Sequence, residues 1–170
     1  VCGGKGKYDT DGGNGNDTVD GGTGDDTVKG GTGDDTVLGG EGNDVTDGCE
    51  GKDSVDGGAG DDTVTGGDAN DTGSDTLSGG EGNDSVSGGQ GNDDTDGGTG
   101  IGRAECGAGV EILIVAVALK TELGGEGNDV TDAGEGNDSV AGSAVDDTFT
   151  GGAANDTCSA QFNGGHGNNS

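Results

Sequence analysis

Apolar side chains recur along this chain singly, at a fixed interval. Val19, Val28, Val37, Val55 and Val64 are spaced by nine or eighteen residues, and Val86 and Val140 sit in the same local setting. Each has polar or small neighbours on most sides, as in Thr18-Val19-Asp20 and Ser54-Val55-Asp56. A polar–apolar–polar triplet reads as a short strand with one side chain directed inward. The interval therefore predicts many short strands divided by turns.

The turns carry the more regular signal. From Gly12 to Thr65 the chain reads GGNGNDTVD, GGTGDDTVK, GGTGDDTVL, GGEGNDVTD, GCEGKDSVD and GGAGDDTVT. Glycine fills positions one, two and four with a single exception, Asp fills position six, and a small apolar residue usually fills position eight. Further copies start at Gly79, Gly88, Gly124, Ala133 and Gly142. A period of this length marks a stacked-repeat architecture. Gly-Gly-x-Gly allows positive φ and curls carbonyl oxygens inward, and the Asp two residues later adds a carboxylate to them. Hard oxygen donors at a pliable turn suit Ca²⁺ better than Mg²⁺, which demands a stricter octahedron.

Composition agrees. Of 170 residues 46 are Gly, none is Pro, Met or Trp, and apolar residues make up 24%, about half the usual globular share. The formal net charge is −29. So acidic a chain with so little to bury is disordered by default unless a bound cation drives folding. This charge excludes nucleic acid as a partner and disfavours anionic lipid. The longest apolar run, Ile112 to Leu119, is far short of the ~20 residues that span a bilayer. No signal peptide is evident, and a start at Val1 leads us to expect a mature product or a piece of a longer chain.

The repeat resembles the GGxGxDxUx nonapeptide of RTX (repeats-in-toxin) proteins, over roughly three-quarters of the chain; eight blocks carry the full GGxGxD. The resemblance implies an all-β fold, a right-handed parallel β-roll or β-solenoid with successive turns on alternate sides. It implies multiple Ca²⁺ ions held by Asp carboxylates and turn carbonyls. The implied metal ligands are Asp17, Asp26, Asp35, Asp44, Asp53, Asp62, Asp71, Asp84 and Asp93, then Asp129, Asp138, Asp147 and Asp156. Thirteen divalent ions would bring 26 positive charges against −29. The resemblance also implies a secreted or cell-surface protein of bacterial type.

A longer period overlies the short one. A thirteen-residue block, GGDANDTGSDTLS from Gly66, has a counterpart GGAANDTCSAQFN from Gly151, 85 positions on, and the same shift superposes two identical GGEGNDVTD blocks at Gly39 and Gly124. Residues 1–85 and 86–170 are expected to form two super-repeats, the second degenerate at 101–123. Three slots there, GGTGIGRAE, CGAGVEILI and VAVALKTEL, lack the position-six Asp. The apolar run within them reads either as a buried strand continuing the roll without calcium or as an adhesive strand for another chain.

Other signals are weaker. Cys2, Cys49, Cys106 and Cys158 are neither duplicated nor in CxxC spacing, against a disulfide framework or zinc site. Sequons at Asn16, Asn70, Asn83, Asn137, Asn155 and Asn168 mostly coincide with the turn dipeptide, where a glycan would crowd the metal. The single histidine, His166, excludes HExxH chemistry, and no GxSxG, P-loop or dinucleotide motif occurs. The expected function is therefore non-enzymatic: an extracellular calcium-binding structural or adhesive module of a rod or fibre, self-associating or continuing in tandem, with 112–119 as the candidate contact. The alternative is the calcium-responsive secretion and folding region of a larger toxin or enzyme. Ice binding is disfavoured because Glu41, Glu50, Asp68 and Glu81 interrupt the Thr/Asn array at the third turn position.

Overall fold

A computed structural model describes residues 1–67, 71–100, 102–114, 121–134, 139–141 and 147–150. Within them the first strands are β1 (Cys2–Lys5), β2 (Asp9–Asn14), β3 (Thr18–Thr23), β4 (Thr27–Thr32), β5 (Thr36–Glu41) and β6 (Val45–Glu50). There follow β7 (Ser54–Ala59), β8 (Thr63–Thr65), β9 (Thr76–Glu81), β10 (Ser85–Gln90), β11 (Asp94–Asp96) and β12 (Arg103–Gly109). The last are β13 (Ile112–Ile114), β14 (Thr121–Gly127), β15 (Val130–Asp132), β16 (Ser139–Ala141) and β17 (Thr148–Thr150).

Odd-numbered strands form one parallel sheet of nine and even-numbered strands a second of eight. Each nonapeptide thus crosses from one sheet to the other, and two make one coil of a parallel β-solenoid. Val19 pairs with Val37 and Val37 with Val55, a register of eighteen. Across the thirteen-residue block it lengthens to twenty-two, as for Val55 and Leu77. The four extra residues are absorbed outside the ladder.

Most regular strands are six residues long, twice the triplet expected from the apolar interval, because positions one to three of the next block keep the same pairing. Gly22 sits opposite Gly40 and Thr23 opposite Glu41. The core is correspondingly thin. Val19, Val28, Val37, Val55, Val64, Leu77 and Val86 form one buried cluster, and Ala104 with Leu113 a second. Val140 lies in β16, and its side chain is outside those described. Where the block reads Val-Thr-Asp, Thr46 and Thr131 take the inward place while Val45 and Val130 face solvent.

The glycines set the coil spacing. Gly42 has φ +133°, and a Cβ there would lie 2.3 Å from the Gly24 carbonyl oxygen one coil away, inside any permitted contact. Cys49 stands in a glycine place, with φ 80°.

The described residues of the degenerate stretch continue the roll. β12 pairs with β10 and β14, and β13 with β11 and β15. The apolar run is not buried as a block: Leu113 is inside, whereas Ile112 and Ile114 are 48% and 43% exposed, as strand alternation requires. Its remainder, residues 115–119, lies outside the described residues.

Candidate metal sites along two columns of turn carboxylates

Position six of each nonapeptide ends the turn, and alternate blocks bring it to opposite edges of the roll. On one edge the N–H of Asp17 donates to Oδ1 of Asp35 (2.8 Å), that of Asp35 to Asp53 (2.8 Å), that of Asp53 to Asp75 (2.8 Å) and that of Asp75 to Asp93 (2.9 Å). The column resumes with Glu111 donating to Asp129 (3.3 Å) and Asp129 to Asp147 (3.2 Å). On the other edge Tyr8 donates to Asp26, Asp26 to Asp44, Asp44 to Asp62 and Asp62 to Asp84, over 2.7–2.9 Å. Each of these carboxylates spends one oxygen on the backbone of the preceding coil.

In eight of them the other oxygen has no partner. Asp26, Asp35, Asp44, Asp53, Asp62, Asp75, Asp93 and Asp129 are all buried, with Oδ2 shut away from solvent and unbonded. A buried, unpaired carboxylate oxygen is expensive unless a cation meets it. Titration reflects this. Burial first, with neighbouring carboxylates adding, pushes Asp53 and Asp62 up to about 6 and Asp75 up to about 7, against the downward pull of the backbone N–H bond. Asp44 and Asp93 are raised from the same leading cause.

Main-chain oxygens face the same gaps. A Cβ on Gly30 would lie 2.6 Å from both Asp35 Oδ2 and the Gly48 carbonyl oxygen; on Gly48, 2.5 Å from both Asp53 Oδ2 and the Gly66 carbonyl. Bare glycine lets a carboxylate and a carbonyl of the next coil converge. Among the described residues no three acidic, His or Cys side chains gather at one point. A cation here would take one or two carboxylates and complete its shell from backbone oxygens. That all-oxygen, adaptable donor set fits Ca²⁺.

Position five does different work. Oδ1 of Asn16, Asp25, Asp34 and Asn43 accepts the N–H of Asp34, Asn43, Lys52 and Asp61 respectively, over 3.0–3.2 Å. These exposed side chains reach forward along the chain, while position six accepts from the coil behind. In Asp25-Asp26 the first carboxylate braces the stack and the second offers its free oxygen inward.

The positions expected from sequence divide as follows. Asp26, Asp35, Asp44, Asp53, Asp62, Asp84, Asp93, Asp129 and Asp147 are buried in the columns, and Asp17 begins one half-buried. Asp71 is off the column: its Oδ1 accepts from Gly51 N and Gly73 N at 3.1 and 3.0 Å. The four-residue insertion separates it from its strand, and Asp75 takes the column place. Asp138 and Asp156 lie outside the described residues. Sequence reasoning passed over Asp75 and Glu111, though each is followed by the x-U-x of an inward strand residue, Thr-Leu-Ser and Ile-Leu-Ile.

A family model for the RTX calcium-binding nonapeptide repeat matches four stretches of the chain, residues 11–45, 47–72, 71–103 and 123–158. No curated protein and no solved structure was found to match it.

Proposed function

The chain belongs to the RTX calcium-binding nonapeptide repeat family, and from that footing we propose that it is an extracellular structural or adhesive module, part of a long rod or fibre that folds on binding Ca²⁺. The observation that carries this reading is the pair of columns of buried, unpartnered Asp oxygens around a core of one small side chain per strand. A roll built this way gains its rigidity from ions stacked between coils. Its 85-residue internal period supports an iterated scaffold.

Self-association has a candidate surface. Ile112, Ile114 and Val130 are each more than 40% exposed on one sheet, and Ile112 and Val130 are register partners. No helix among the described residues is long and apolar enough to cross a membrane, and the charge of −29 opposes nucleic acid. We take the segment to be non-catalytic, since its one histidine stands in no motif.

A second reading is the calcium-responsive secretion and folding region of a larger, type I-secreted toxin or enzyme. The matched repeat favours it, being typical of secreted bacterial proteins. The full-length gene separates the two readings: a catalytic or pore-forming region beside the repeats supports the second, continued repeats the first.

Circular dichroism during Ca²⁺ titration, reversed with chelator, tests the folding claim; a β spectrum that persists in excess chelator overturns it. Electron microscopy of the folded form tests the fibre. Filaments lost on I112S/I114S support assembly through that face, and a strictly monomeric folded form counts against it.

A further inference from the structure

The degenerate stretch treats the two edges of the roll unequally. On the edge that carries Asp26, Asp44, Asp62 and Asp84, the next place falls to Gly102, because Arg103 N donates to Asp84 O at 2.8 Å as in regular coils. The column loses its carboxylate there. On the opposite edge the corresponding place is Glu111, between Asp93 and Asp129.

The backbone around Glu111 keeps the coil-to-coil bonds of a regular repeat, although the column bonds from Glu111 and Asp129 lengthen to 3.3 and 3.2 Å. Ile112 N donates to Asp93 O and Val130 N to Glu111 O, both at 2.9 Å, and Val110 N donates to Asn92 Oδ1 at 2.9 Å. These are the bonds that Thr36, Ser54 and Asp34 make in regular repeats. The side chain is 0% exposed and stands beside the Asp129 carboxyl, and neither Oε1 nor Oε2 accepts an N–H bond, not even from the Asp93 amide that a column Asp would hold. A Cβ on Gly109 would lie 2.5 Å from Oε1, so the longer arm reaches back over its own turn. Two unpaired buried oxygens on one residue is a larger deficit than any Asp of the column shows. A misplaced glutamate would turn outward, as Glu41 and Glu81 do, both in exposed places.

We propose that Glu111 is a metal ligand that carries one ion column unbroken through the stretch where the other column stops. Resting on the calcium reading above, this makes the roll asymmetric: ions run the length of one edge and leave a gap on the other. Glutamate can present both oxygens to one Ca²⁺, which compensates for a turn that lacks the usual first glycine, its place being taken by Cys106.

The test counts ions. Chelator-stripped full chain is saturated with Ca²⁺ and weighed by native mass spectrometry as wild type, E111Q and E111D. The expected result is at least one ion fewer in E111Q, with E111D holding the wild-type number at weaker affinity. An E111Q chain that binds as many ions as wild type, equally tightly, overturns the assignment while leaving the calcium reading intact. A wild-type chain that binds no Ca²⁺ overturns both. Should E111Q not reach the β spectrum, wild type labelled with ¹³Cδ-glutamate decides: the Glu111 carboxyl resonance, absent in E111D, must move on Ca²⁺ saturation, and an unmoved resonance rejects it.

Discussion

The N–H of Asp35 is held by Oδ1 of Asp53 at 2.8 Å, one coil further on, while Oδ2 of the same carboxylate has no hydrogen-bond partner. One side chain thus joins two coils and offers a charge to a third party. The two roles separate by substitution. D53N keeps an acceptor for the Asp35 amide but removes the charge. In saturating Ca²⁺ it should still fold but melt below wild type. D53A also strands the buried amide and should melt lower still in saturating Ca²⁺, by about a further 1–3 kcal/mol of stability. Equal calcium stabilisation of D53N and wild type, by thermal melting, would show that Oδ2 faces no ion.

The pH dependence of the calcium-free chain follows from the same oxygens. Folded Asp53 and Asp62 titrate near 6 and Asp75 near 7, against 3.8 for an ordinary Asp. Raised values mean that the folded state binds protons more tightly than the unfolded one. The stabilisation is complete below 3.8 and is lost as pH rises through the 6–7 window. In chelator, where the chain is unfolded at neutral pH, β content should therefore rise as pH falls from about 8 to about 5. D75N should flatten the upper part of that rise. With Ca²⁺ bound the sign reverses and the melting temperature falls with pH, since protons compete with the ion. A chelated chain whose β content stays flat over this range refutes the argument.

Backbone conformation yields opposite predictions for two neighbouring turns. Gly42 has φ +133° with the Gly24 carbonyl 2.3 Å from where a Cβ would stand, so G42A should prevent coils from stacking and abolish the calcium-induced β spectrum. Cys49 already holds φ 80° with a side chain, a conformation costing an L-residue roughly 1–2 kcal/mol. C49G should raise stability by about 1 kcal/mol, after the greater chain entropy of glycine is subtracted. A calcium-saturated G42A that melts with wild type would show the coils to be further apart than this structure has them.

The nine-residue interval carried most of this architecture in plain view. Position eight named the inward residues, and position six named the columns, because a stacked roll repeats one environment and so one residue type. What stayed hidden lay where length or chemistry broke the frame. In the thirteen-residue block counting from the first glycine finds Asp71, while counting back from Leu77 finds Asp75; only pairing with Val55 decides between them. Glu111 was masked by its apolar neighbours, which read as a strand continuing the roll without calcium or as an adhesive strand for another chain. The alternation of Ile112, Leu113 and Ile114 shows that the roll simply continues. The opposite polarity of the position-five and position-six bonds was not legible at all, since both are Asx at a turn and only three-dimensional stacking gives each a direction.

Thr46 tests how far the core is built for burial. It occupies position eight between Val28 and Val64 in the ladder, is 0% exposed, and its hydroxyl has no partner. Its neighbour Val45 faces solvent, so the block carries its valine on the outer face. A buried hydroxyl without a hydrogen bond costs about 1–3 kcal/mol on mutational scales, and valine has nearly the same shape. T46V should therefore raise the melting temperature in calcium without changing the number of ions bound, because the change removes no carboxylate from either column. Thermal melting together with an ion count checks this. If T46V proves neutral or destabilising, the hydroxyl has a partner within the roll, and the Val-Thr order is then a packing requirement.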